Sequence, residues 1–132
     1  MEALLPQVAV TPEGVAGALR AHDGPVWLEV GFGGGEHLAW QAARAPGTLM
    51  IGAEPFVNGV AKLLTQIEEQ DLANVRVRHG DARDLMAAMP DAALQRLFVL
   101  HPDPWPKRRH HKRRIIDQAF LAEAHRLLEP WR

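Results

Sequence analysis

The sequence contains no cysteine, which excludes a disulfide framework, a thiolate metal site and a thiol nucleophile. No continuous apolar stretch approaches the roughly 18–20 residues that a membrane-spanning helix needs. Residues Met1 to Val10 carry Glu2 and Pro6 without a basic segment, so no secretory signal is expected and a cytoplasmic location is the plain expectation. No internal repeat, low-complexity tract or linker interrupts the chain. Of its 132 residues, 47% are hydrophobic, enough to bury the core of one domain spanning 1–132.

A formal net charge of −1 conceals an asymmetry. Residues 107–114 read Lys-Arg-Arg-His-His-Lys-Arg-Arg and hold six of the 15 Lys and Arg, which leaves nine basic against 16 acidic residues elsewhere. A basic block on an acidic body points to a polyanionic partner met at one place. A solvated charge run is the bland alternative, and the neighbouring residues decide between the two.

Short aliphatic runs alternate with helical patterns, which predicts an α/β fold with a mostly parallel, doubly wound sheet. Thr11-Pro12-Glu13 reads as a cap with proline at the first helical position, opening a helix to about His22. Strands are expected at Val26 to Val30, Leu49 to Ala53, Asn74 to His79 and Leu94 to Leu100. Helices follow each, at about Glu36 to Arg44, 57 to 70, Ala82 to Met89 and Arg114 to Leu128. Right-handed crossovers place helices on both faces and ligands at the carboxyl ends of the strands.

Glu29-Val30-Gly31-Phe32-Gly33-Gly34-Gly35 joins the first strand to its helix. The dinucleotide fingerprint would require glycine at 36, where this chain has Glu36. An acid at that helix N-terminus disfavours a pyrophosphate, and hence an NAD-type cofactor. S-adenosylmethionine (SAM), with an ammonium and a cationic sulfonium, fits better. Glu54 stands at the tip of strand two, about 20 residues beyond the glycines, where a carboxylate accepts from ribose hydroxyls. Asp81, after strand three, is placed either to cap the next helix or to meet the adenine amino group. The glycines alone could be a tight turn; three acids at three successive strand ends around them point to a nucleoside cofactor.

The block His101-Pro102-Asp103-Pro104-Trp105-Pro106-Lys107, with its basic continuation to Arg114, resembles the signature of the tRNA (guanine-N7-)-methyltransferase family. Glu29-Val30-Gly31-Phe32-Gly33, Ile51-Gly52-Ala53-Glu54, Gly80-Asp81-Ala82 and Phe120-Leu121 follow that family's order and approximate spacing over about residues 26–129. The resemblance implies a Rossmann-like, class I SAM-dependent enzyme that methylates N7 of a guanine in tRNA. It makes Glu29, Glu54, Asp81 and Asp103 the cofactor-contacting acids, beside Gly31, Gly33 and Gly35, and Asp103 also the catalytic residue. It gives Lys107 to the substrate and Arg109, His110, His111, Lys112, Arg113 and Arg114 to the RNA. No metal is implied.

Elementary chemistry agrees. N7 of guanine carries a free lone pair, so no base need deprotonate it. Methylation makes the purine cationic, and a carboxylate at the ring edge stabilises that charge as it develops. It could also accept from guanine N1–H and the amino group and so aim N7 at the methyl. Prolines on both sides of Asp103 stiffen its loop, Trp105 either packs or stacks on a base, and the basic block meets phosphates.

Departures from the family pattern set further expectations. About 25 residues precede the first strand, fewer than in the family. The family continues past its last helix, through a Pro-Gly-Gly turn, into strands bearing an acid and a Thr-x-x-Glu element, whereas Glu129-Pro130-Trp131-Arg132 ends this sequence. The chain therefore reads as lacking those C-terminal strands. The expected sheet order 3-2-1-4 then leaves an apolar strand four at an open edge, where self-association is expected. Two alternatives follow: a SAM-binding remnant without catalysis, or a basic RNA-binding adaptor whose glycine loop is only structural.

Overall fold

A computed structural model describes residues 4–99 and 116–130. The elements run α1 (Leu5–Val8), α2 (Val15–Ala21), β1 (Val26–Val30), α3 (Glu36–Arg44), β2 (Leu49–Glu54), α4 (Val57–Gln70), β3 (Val75–His79), α5 (Ala82–Ala87), β4 (Arg96–Phe98) and α6 (Gln118–Leu127). The four strands are parallel, in the order β3-β2-β1-β4, the order expected from the alternation of elements.

Alternation along the strands builds two cores. Val26, Leu28, Val30, Leu49, Ile51 and Ala53 pack against α2, α5 and α6, whereas Trp27, Met50, Val75 and Val77 pack against α1, α3 and α4. Every residue of β1 and β2 is buried, as parallel strands covered on both faces must be. Among the described residues no helix is long and apolar enough to cross a membrane.

The structure departs from the sequence reading at several places; one is that α6 starts at Gln118 rather than about Arg114, because the Asp117 carboxylate accepts from Phe120 N at 2.8 Å and caps it. Helix α2 starts at Val15, because the Thr11 hydroxyl accepts from Gly14 N at 3.1 Å and closes a turn ahead of it. Helix α1, one turn long, was not expected. It leads Ala9 and Val10 onto the outer edge of β3, where Val10 N donates to Val77 O at 2.9 Å. β4 is three residues rather than seven, and Leu100 lies outside the described residues.

The fourth-strand edge is not wholly open. Leu128 leaves α6 in extended conformation and pairs with Leu94, which donates to Leu127 O at 2.8 Å and accepts from Glu129 N at 2.8 Å. Helix α6 is locked to the end of α5 by Arg126, whose guanidinium donates to Met86 O, Met89 O and Asp91 at 2.9, 2.8 and 3.0 Å. The same guanidinium holds the Glu123 carboxyl below its ordinary range through a 2.7 Å hydrogen bond.

Candidate functional site: the glycine loop and its cavity

Gly31, Gly33 and Gly35 all have positive φ, at 68°, 60° and 84°. Their every-other-residue spacing is thus a backbone requirement, since side-chain-bearing residues rarely adopt that region. Gly31 N donates to Ala53 O and Gly35 N to Phe32 O, which folds the loop over the ends of β1 and β2.

Glu54 grips this loop. Only 5% exposed, it accepts from Gly33 N at 2.8 Å through one oxygen and from Phe56 N at 3.1 Å through the other. A carboxylate offers about four acceptor positions, so others remain for a ligand's hydroxyls.

A cavity of about 570 Å³ opens beside the loop, lined by Gly31, Gly33, Glu54, Phe56, Lys62 and Asp81, among others. That volume suits a nucleoside-sized ligand. Asp81 reaches it while doing the work of a helix cap, accepting from Arg83 N at 2.9 Å. Gly31, Gly33, Glu54 and Asp81 therefore converge on one cavity at the carboxyl ends of β1, β2 and β3, whereas Gly35 is not among its lining residues and sits against Leu63.

Glu29 is placed differently. It is 1% exposed, is not among the residues lining the cavity, and takes a 2.5 Å hydrogen bond from His37 Nδ1 in the first turn of α3. The far side of that ring meets Gln41 at 3.3 Å, and its face meets the edge of Phe98 with centroids 5.1 Å apart. His37 ties β1, α3 and β4 together just beneath the loop. Sequence reading passed it over, although a histidine in the turn after a glycine loop, eight residues from a strand-end acid, was the available signal.

It also passed over Gly59 and Gln66 on α4. Gly59 lies so close to the loop that a Cβ there would sit 2.1 Å from Gly33 O. One helical row further on, Gln66 donates its amide to Gly34 O at 2.7 Å. Asp103, Trp105, Lys107, Arg109, His110, His111, Lys112, Arg113 and Arg114 lie outside the described residues.

A parallel β3-β2-β1-β4 sheet, with a glycine loop after β1 and an acid at the tip of β2 holding it, is a Rossmann-like α/β arrangement. Residues 23–131 match the family described as "Putative methyltransferase", and the chain belongs to that family. It is 54% identical over 131 residues to a tRNA (guanine-N(7)-)-methyltransferase of Caulobacter sp. (strain K31), covering 98% of this chain and 58% of that relative. The chain thus spans under three fifths of that curated relative's length. Two solved structures share the fold. A 16S rRNA (adenine(1408)-N(1))-methyltransferase from Catenulisporales acidiphilia aligns with a TM-score of 0.63 at 18% identity, over 92% of this chain and 59% of that one. A SAM dependent methyltransferase from Aquifex aeolicus aligns at 0.59 and 19% identity, over 90% and 58%.

Proposed function

We propose that this chain is the cofactor-binding and catalytic core of an enzyme that transfers a methyl group from SAM to N7 of a guanine in tRNA. The observation that carries the reading is the convergence of the glycine loop, Glu54 and Asp81 on one cavity, in a chain whose next segment bears the Pro102-Asp103-Pro104-Trp105-Pro106-Lys107 block. The residues present fit the cofactor: a loop without side chains, a carboxylate with acceptor positions to spare, and a nucleoside-sized cavity. When bound, SAM supplies an electrophilic methyl on a cationic sulfur.

The chain's own groups do the rest. Glu54 accepts from the ribose hydroxyls while keeping Gly33 N–H, Asp81 takes the adenine end, and Glu29 orders the loop from below through His37. Asp103 holds the guanine edge and opposes the positive charge that builds on the purine. Lys107 contacts the substrate, and the basic residues from Arg109 to Arg114 hold phosphates. The work is that of a cytoplasmic, tRNA-binding protein acting as a single domain over 1–132.

The test is formation of 7-methylguanosine in unmodified tRNA with methyl-labelled SAM. Product at that position supports the reading. Saturable binding of S-adenosylhomocysteine without product supports a SAM-binding remnant, and absence of both supports an RNA-binding adaptor.

Two consequences follow. Replacing Arg113 and Arg114 together by alanine is expected to weaken binding to all tRNAs alike and to flatten its salt dependence by up to about two phosphate contacts. An unchanged salt slope places those arginines off the RNA. The 132-residue chain is also expected to self-associate along the outer edge of β4, where Arg96–Phe98 pair with β1 on one side and with no strand on the other among the described residues. Sedimentation velocity showing a concentration-independent monomer overturns that.

A further inference from the structure

The site described so far recognises a nucleoside; the glycine loop also carries a charge pattern that the nucleoside does not use. Glu36, in the first turn of α3, brings its carboxylate against the loop, with oxygens 2.7 and 2.9 Å from where a Cβ on Gly34 would stand. A negative charge there removes the helix N-terminus as a seat for an anion. An anionic group bound at this loop must find its cation elsewhere.

Helix α4 supplies one. Gly59, Leu63 and Gln66 form the row that meets the loop: Gly59 against Gly33 O, Leu63 beneath Gly35, and Gln66 hydrogen-bonded to Gly34 O. Lys62 lies within that row, three residues after Gly59 and four before Gln66, and lines the cavity alongside Gly33 and Gly34. Among the described residues its ammonium has no carboxylate partner. Among the described residues the other cation lining the cavity, Arg83, stands past the end of β3 beside Asp81. The Glu36 carboxylate thus stands at Gly34, though not among the residues lining the cavity, and Lys62 lines the cavity with Gly34, so the loop has one acid and one base near it, as an amino-acid zwitterion requires.

We propose that Lys62 is the residue that recognises the carboxylate of the cofactor's amino-acid end and so selects ligands that carry one. This rests on the SAM reading above. Glu36 faces the ammonium of the same end. The contact is a partly exposed, charge-assisted hydrogen bond, so its effect on affinity is about fivefold to tenfold and falls as salt rises.

The experiment compares two probes by calorimetry, S-adenosylhomocysteine and its decarboxylated analogue, which keeps the ammonium and lacks only the carboxylate. The wild-type chain is expected to bind the first about fivefold to tenfold more tightly. Lys62→Met, a change on an exposed helix position, is expected to bring that ratio close to one by weakening S-adenosylhomocysteine alone. Lys62→Arg should restore most of the ratio, and Glu36→Gln should weaken both probes alike and leave it intact. A ratio that survives in Lys62→Met, or one that falls equally in Glu36→Gln, overturns the assignment while leaving the cofactor reading standing. No saturable binding of either probe to the wild-type chain overturns the cofactor reading itself, and the assignment with it.

Discussion

Gly59→Ala is expected to weaken S-adenosylhomocysteine binding by at least tenfold. The added methyl would stand 2.1 Å from Gly33 O, 3.0 Å from Gly33 C and 3.1 Å from Glu54 Cγ. Two of those atoms are backbone and cannot rotate aside, so α4 or the loop must move. Overpacking of this kind costs about 1–3 kcal/mol or more. Movement of the loop also breaks the bond from Gly33 N to Glu54 that presets the cavity. Alanine is the better helix former by about 1 kcal/mol, so any net loss of stability measures the clash after that gain. Isothermal calorimetry on the folded variant is the check, and unchanged affinity would mean that the loop need not sit where Glu54 and α4 hold it.

Asp103→Asn is expected to lower turnover on tRNA by about a hundredfold or more. The substitution keeps the shape of the side chain and removes the charge that opposes the developing purine cation, the kind of electrostatic contribution worth about 10²–10³ in other active sites. The loss should appear in single-turnover methyl transfer, with tRNA affinity changed far less, because phosphate contacts along the basic block carry that affinity. Near-normal turnover would make Asp103 a structural residue.

Much of this architecture was legible in the chain because its signals are local. Val26 to Val30 and Leu49 to Ala53 read as strands since a short apolar run followed by glycine or an acid has few other uses in an α/β pattern. Gly31, Gly33 and Gly35 stood out because positive φ at alternate positions excludes most other residues. Asp81 read as a cap or a ligand group, and it caps α5 while facing the cavity. Reading failed where a local signal competed with a distant one. Thr11-Pro12-Glu13 looks like a helix start, yet its hydroxyl closes a turn instead. Leu94 looks like strand interior, yet its backbone pairs with Leu128 beyond α6.

The sequence by itself determined the order of elements from α2 to α6, the loop that must be glycine and the acids at the strand ends, because each follows from periodicity or backbone sterics within a few residues. It also determined the β3-β2-β1-β4 sheet, because crossovers between parallel strands are right-handed. The tertiary structure alone decided what those acids do. Parallel register sets Glu29 opposite Gly52 and Glu54 opposite His79, and packing of α3 and α4 then turns Glu29 to His37 and closes Glu54 on Gly33. It also brought Gly59, Lys62 and Gln66 against a loop some 26 to 32 residues earlier in the chain. No local propensity encodes such contacts: their free energy comes from burying two helices on one sheet, and a residue's partner is fixed only once both have docked.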